Sequence, residues 1–359
     1  MKMGAYMNRK SLVGVATSAA LAVAALVAVA PGAQAATSDP LRDKQWGLDQ
    51  VNAEAAWPVS TGKGAVVAVV DTGVDLDQPD LAGQLLPGAT FTGCADVRPC
   101  GKGGYKGPDG KNDGDEHGTH VAGIVAARAN NGIGVAGVAP GAKILPVKVL
   151  EAGTGTSQDI ADGIRWAADH GADVINLSLG TQPGGQLLTI IGVDTLMRDA
   201  IAYARQQGVL TVAAAGNTST PLCSDPAFTS VAICVGATDS ARVHSYYSEL
   251  PIKLDLKSVS APGGSGGLTG CDGDVWSTVP VGTGSDTCGV GSYDSYAGTS
   301  MATPHVAGVA ALLFAQGRSM TQVESAILYT SRDPLLGLVG VWTPLYGYGI
   351  VDAAAAVAY

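Results

Sequence analysis

Three polar residues stand where this 359-residue chain passes from one kind of segment to another, and their types suit nucleophilic catalysis. Ser300, in GTSMATPH (298–305), precedes a run that puts Val306, Val309, Ala310, Leu313 and Phe314 at helical spacing. Pro304 is expected in the first helical turn, where a missing N–H is tolerated. A serine at a helix N-terminus lies beside unpaired N–H groups and the positive end of the dipole, which favour the negative oxygen of a reacting carbonyl. The same position suits a plain N-cap, so a base and an orienting acid must decide. His117 opens HGTHVAGIVAARANN (117–131), whose Val121, Ile124 and Val125 give an apolar helical face. Asp71 ends the apolar run Ala65 to Val70, of buried-strand length, and so stands at a strand's carboxyl edge, where open α/β sheets form sites. Asp, His and Ser in this order is one of the known orders of a catalytic triad. His120 raises the rival idea of a metal pair, but a zinc-protease helix needs histidines four apart with Glu between them; a packed histidine is expected instead.

The elements that must position these residues alternate. KILPVKVL (143–150), ADVINLSLG (172–180), VLTVAAAGN (209–217) and SVAICVGAT (230–238) read as strands. SQDIADGIRWAADHG (157–171) reads as a helix opened by Ser157, and a second spans about Asp194 to Gln207. This order predicts an α/β fold: a mostly parallel, twisted sheet with helices on both faces, in three layers. Residues 262–292, rich in Gly, Ser and Thr, are expected to be loops leading to Ser300. Asn217 follows its strand at a Gly turn; as an isolated residue it would read as a turn former.

Lys2, Arg9 and Lys10 precede an uncharged run from Leu12 to Ala30, and Ala33-Gln34-Ala35 offers a cleavage site. Residues 1–35 are therefore expected to be a secretory signal peptide and 36–359 the folded domain, with an uncleaved membrane anchor as the alternative. Cleavage would leave 18 basic against 31 acidic residues, a balance that excludes nucleic acid and anionic membranes as natural partners. A secreted, extracellular monomer without membrane attachment is expected. The six cysteines of an exported chain favour three disulfides. Closeness in sequence suggests Cys94 with Cys100, Cys223 with Cys234 and Cys271 with Cys288.

VAVVDTGVD, HGTHVAG and GTSMATPHVAG resemble the three active-site signatures of subtilisin-like serine proteases, and AAAGN (213–217) resembles their oxyanion segment. The resemblance runs from about residue 39 to 357. It implies a serine endopeptidase in which Asp71 orients His117, His117 activates Ser300, and Asn217 helps bind the oxyanion. It further implies a substrate held extended along Ser178, Leu179 and Gly180, with Ala215 and Gly216 as the opposite wall of the S1 pocket. Asp225 falls on the segment lining the base of that pocket; buried there it would favour Lys or Arg at P1, and it could equally face solvent or bind a cation. By position, Asp39, Asp80, Asn131 and the carbonyls of Ala129, Ile133 and Val135 match a structural Ca²⁺ site of the family. Asp113 and Asp115 are a weaker second candidate, with a solvated acidic loop the simpler reading. Few residues separate Ala35 from the matched region, so no folding propeptide of domain size is expected. A catalytically latent or scaffold relative is the alternative to an active enzyme.

Overall fold

The computed structural model describes residues 37–95, 97–106, 115–181, 190, 192 and 194–359. The expected signal peptide and Asp113 lie outside the described residues. In chain order the elements are α1 (Trp46–Gln50), α2 (Ala53–Ala56), β1 (Val66–Asp71), β2 (Ala89–Thr90), α3 (His117–Ala126), β3 (Lys143–Lys148), α4 (Ser157–Asp169) and β4 (Val174–Leu177). Then follow α5 (Leu196–Gln206), β5 (Leu210–Ala214), β6 (Ile233–Thr238), β7 (Ser258–Pro262), β8 (Val275–Thr278), β9 (Tyr293–Tyr296), α6 (Thr299–Phe314), α7 (Met320–Thr330) and α8 (Ala353–Ala358).

Among the described residues, seven strands form one sheet in the order β2-β3-β1-β4-β5-β6-β7, every neighbouring pair parallel. Side chains alternate across it as the period of a strand requires. Val67 and Val69 join the core beneath α3 and α6, whereas Ala68 and Val70 join the core beneath α4 and α5. A strand buried on both faces can carry no polar alternation, which is why VVAVV reads as a continuous apolar run.

From β1 the chain builds β2 and then β3 on one side and next reaches β4 on the other, so its winding reverses at the β1/β4 pair. Crevices in open α/β sheets form beyond the carboxyl ends of the strands at such a reversal. Register pairs Val69 with Asn176, which sets Asp71 level with Ser178 at that end.

Two expectations need correction. The segment 262–292 is not loop throughout: Val275–Thr278 pairs antiparallel with Tyr293–Tyr296 in a separate two-stranded sheet. Only four residues of VWST carry the strand, and glycine-rich flanks hide it from a periodicity argument. The N-cap of α4 is Thr156 rather than Ser157, its side chain accepting from the Asp159 N–H. The three disulfides pair Cys94 with Cys100, Cys223 with Cys234 and Cys271 with Cys288, as closeness in sequence suggested.

Candidate active site

Asp71 is the last residue of β1 and is fully buried. Its Oδ1 accepts from the Thr72 N–H at 2.8 Å and pairs with His117 Nδ1 at 2.7 Å. A carboxylate only accepts, so Nδ1 carries the proton and Nε2 is left as the acceptor of the ring. The helix start is locked to the strand end: the Gly118 N–H donates to Thr72 Oγ1 at 2.9 Å, and the Asp75 N–H to Thr119 Oγ1 at 2.9 Å. A Cβ on Gly118 would lie 2.2 Å from the Gly73 carbonyl oxygen, so only glycine permits this approach. Lys148, wholly buried at the end of β3, donates to the carbonyls of Thr72 at 2.7 Å and Leu150 at 2.9 Å, fixing the turn after Asp71.

Opposing effects act on the His117 imidazole. Burial lowers its pKa, but the charge of Asp71, the hydrogen bond to it and the charge of Asp115 outweigh burial and raise it above the ordinary 6.5. Asp115 also accepts the His117 backbone N–H at 3.1 Å. An acid that composition suggests is merely solvated thus caps and biases the histidine. His120 is a different case: it is fully buried, meets the Asp294 carbonyl at 3.2 Å, stacks on Tyr296, and burial first of all pushes it down to about 3. That is a packed neutral histidine.

Ser300 is the second residue of α6, whose N-cap is Gly298 with no side-chain cap, so the serine hydroxyl does not serve the helix end. Its Oγ donates to the Ser178 carbonyl at 3.2 Å and, among the described residues, makes no hydrogen bond to His117. Pro304 lies inside the helix, a turn later than expected. It has no N–H to give to the carbonyl of Ser300, four residues back. Ser178 Oγ fills that gap, donating to the Ser300 carbonyl at 2.7 Å and itself accepting from Asn176 Nδ2 at 2.9 Å. The residue expected only to hold substrate therefore also anchors the helix that bears the serine.

Asn217 follows β5 through Ala215 and Gly216. Its Oδ1 accepts from the Thr299 N–H and Thr299 Oγ1, both at 2.9 Å, which orients the amide with Nδ2 on the other side. A Cβ placed on Gly298 would stand 3.4 Å from Asn217 Nδ2 and 3.6 Å from the Ser300 nitrogen. The two donors thus border one small space beside Ser300.

A cleft of about 490 Å³ runs from His117 along Ser178, Leu179 and Gly180, with Leu150, Ile160 and Met197 supplying an apolar side. Those three residues could not be singled out in the sequence, because each also reads as core. At the other side, the Ser224 N–H donates to the Ala215 carbonyl at 2.6 Å and the Thr181 N–H to the Asp225 carbonyl at 2.8 Å. Ser224 and Asp225 therefore tie the 178–181 segment to the 215–216 segment. Asp225 itself is buried rather than solvent-facing. Its Oδ1 accepts from the Thr229 N–H and hydroxyl, and its Oδ2 has no hydrogen-bond partner among the described residues.

Asp39 and Asp80 are both buried under the loop 129–135. Asp39 accepts N–H groups of Asn130, Asn131 and Gly132, and Asp80 accepts from Asn131 Nδ2 and the Val135 N–H. Burial, with a contribution from the charge of Asp39, pushes the Asp80 carboxyl up to about 6. The carbonyls of Ala129, Ile133 and Val135 accept no hydrogen bond among the described residues. Two buried carboxylates and unpaired carbonyls suit a hard cation; the Asn131 amide itself donates to Asp80 and accepts the Ile133 N–H. Among the described residues no group of three or more His, Cys, Asp or Glu side chains is arranged to hold a metal ion.

Comparison with known proteins gives the family. Residues 62–349 match the Subtilase family. Thermitase of Thermoactinomyces vulgaris is 40% identical, the match covering 90% of this chain and 99% of thermitase. Subtilisin Savinase of Lederbergia lenta is 39% identical, with 87% and 97% covered. An extracellular protease of Xanthomonas campestris is 38% identical, over 89% of this chain and 56% of that protein. Among solved structures, a protease from Pseudoalteromonas arctica superposes with a TM-score of 0.74 at 36% identity, covering 90% of this chain and 99% of the other. Matched along most of its length in sequence and in fold, the chain belongs to the subtilase family and is a subtilisin-like serine endopeptidase.

Proposed function

We propose that this enzyme hydrolyses peptide bonds through an acyl-enzyme formed on Ser300, after export and removal of residues 1–35. The observation that carries the reading is the 2.7 Å bond between His117 Nδ1 and the buried Asp71 carboxylate at the sheet edge that also receives Ser300. As Ser300 Oγ attacks the scissile carbonyl carbon, His117 Nε2 takes its proton, and the imidazolium formed faces Asp71. The carbonyl electrons move to oxygen, which the Ser300 N–H and Asn217 Nδ2 receive. Collapse breaks the C–N bond and the amine leaves with the proton from His117; water then repeats the sequence and frees the acid.

The substrate lies extended along the 178–180 edge, where main-chain pairing tolerates many sequences and the Leu150–Ile160–Met197 side of the cleft takes an apolar side chain. Among the described residues no helix is long and apolar enough to cross a membrane, and a relative is named an extracellular protease. The relative's name supports an exported enzyme. The direct test is fluorophosphonate labelling of the exported protein followed by peptide mapping. The label is expected on Ser300; a folded protein that neither labels nor cleaves belongs to the latent or scaffold reading instead.

Replacing Asn217 by Ala removes one oxyanion donor, together with the Oδ1 that accepts from Thr299, and leaves the substrate's main-chain contacts along 178–180 in place. The loss established for such a donor in subtilisin, a relative of this chain, is about 10²–10³-fold in kcat, and the same is expected here with KM little changed. Steady-state kinetics on one peptide substrate check it, and an Asn217→Ala enzyme with unchanged kcat would remove Asn217 from the site.

Calcium is the cation assigned to Asp39 and Asp80, held with Asn131 and the carbonyls of Ala129, Ile133 and Val135. A ligand that binds only the folded state raises its stability by mass action. Chelation is therefore expected to lower the melting temperature of the wild type by several degrees, about what 1–2 kcal/mol produces in a domain this size. Asp80→Asn should melt at a temperature the chelator does not change. A wild type indifferent to chelator would end the assignment.

A further inference from the structure

One buried acid takes no part in the catalytic machinery described above. Glu249 has no exposed surface and, among the described residues, no Lys, Arg or His paired with its carboxylate. An unpaired carboxylate is costly to bury unless hydrogen bonds replace its water, and here two hydroxyls do so. Thr218 Oγ1 donates to Oε1 at 2.6 Å, and Ser224 Oγ donates to Oε2 at 2.8 Å. The backbone of the same residue acts as well, its N–H donating to the Gly216 carbonyl at 3.0 Å. Glu249 therefore grips the chain immediately before and immediately after Asn217, and also Ser224, whose N–H holds the Ala215 carbonyl.

The fit beneath Gly216 shows how closely this grip is built. Gly216 has φ +116°, and a Cβ there would lie 2.4 Å from Glu249 Oε2 and 2.7 Å from Ser224 Oγ. The carboxylate occupies the volume a side chain would need. Asn217 is thus held at three places: its own Oδ1 on Thr299, and its two neighbours on Glu249. Donors that stabilise a transition state act through their exact aim, and misplacement by about 1 Å from a distant change can cost 10²-fold.

The geometry points to Glu249 as a positioning residue that aims the Asn217 amide at the oxyanion by bracketing Gly216 and Thr218 and tying them to Ser224. This rests on the reading of Asn217 as an oxyanion donor. The carboxylate acts as a double acceptor, and a glutamine keeps one acceptor oxygen while its NH₂ can face a hydroxyl turned the other way.

The experiment is a double-mutant cycle on the processed enzyme with its calcium present: wild type, Asn217→Ala, Glu249→Ala, Glu249→Gln and the Asn217→Ala/Glu249→Ala pair, each read as kcat and KM on one peptide substrate. Glu249→Ala is expected to lower kcat by about 10- to 100-fold with KM changed far less. Glu249→Gln should recover most of that loss, and in the Asn217→Ala background Glu249→Ala should lower kcat no further. A folded Glu249→Ala with wild-type kcat, alongside a crippled Asn217→Ala, overturns the role of Glu249 and leaves that of Asn217 standing. Losses that multiply in the double variant also overturn it, because Glu249 would then act elsewhere. An Asn217→Ala enzyme with full kcat sinks the underlying reading instead. Should Glu249→Ala not fold, Thr218→Val removes one arm of the grip alone; a fall in kcat at constant KM supports the proposal, and no change in kcat refutes it.

Discussion

Ser300→Ala is expected to fold, form its three disulfides and bind peptide, yet hydrolyse it roughly 10⁴-fold or more slowly and take no fluorophosphonate label. Stability and activity separate here because the hydroxyl contributes to only one of them. Gly298, not Ser300, occupies the N-cap, so α6 keeps its start without the hydroxyl. Among the described residues the one hydrogen bond that Oγ makes is the 3.2 Å one to the Ser178 carbonyl, and that long contact is worth about 1 kcal/mol at most. The anchoring bond from Ser178 Oγ runs to the backbone carbonyl of Ser300, which alanine retains. Catalysis, in contrast, loses the atom that forms the acyl bond. Melting temperature, labelling and single-turnover hydrolysis measured together check the expectation. A Ser300→Ala protein that still labels would place the nucleophile elsewhere.

The parts of this site legible in the sequence are those in which chemistry imposes short-range constraints. Asp71 ends a strand, His117 begins a helix, and both are flanked by glycines that allow the strand end and helix start to touch, so the constraint is written locally. The parallel sheet was legible for a similar reason, since strands buried on both faces become plain apolar runs. What escaped depends on contacts far apart in the chain. Nothing near Ser178 shows that its hydroxyl will be needed by the Ser300 carbonyl, because the vacancy is created by Pro304. Asp115 sits in a stretch whose composition says only that it is wet. Leu150, Ile160 and Met197 look the same in sequence whether they fill a core or line a cleft. Asp225 shows the reverse limit: the resemblance implies a segment at the base of the S1 pocket, but only the structure reveals that Thr229 claims one of its oxygens.

Asp71→Asn should lower kcat by roughly 10³–10⁴-fold and move the acid limb of the pH–rate profile downward, and one physical cause accounts for both. In the wild type burial lowers the pKa of His117, but the charge of Asp71, the hydrogen bond to it and the charge of Asp115 together outweigh burial and raise it above the ordinary 6.5. Protonated His117 cannot take the serine proton, so activity rises as pH climbs through that raised value. Asparagine is neutral. Its carbonyl can occupy the place of Oδ1 and accept from both Thr72 and His117, as Oδ1 does now, so the tautomer with the proton on Nδ1 can survive. The cost is then mostly electrostatic: the imidazolium that develops during attack no longer faces a buried negative charge, and only that of Asp115 remains nearby. With burial less opposed, the pKa falls and the remaining activity persists to lower pH. Profiles of kcat/KM across the neutral range for both proteins decide the matter. A large loss in kcat with the acid limb unmoved would mean that Asp71 works through geometry alone, and full activity would remove it from the triad.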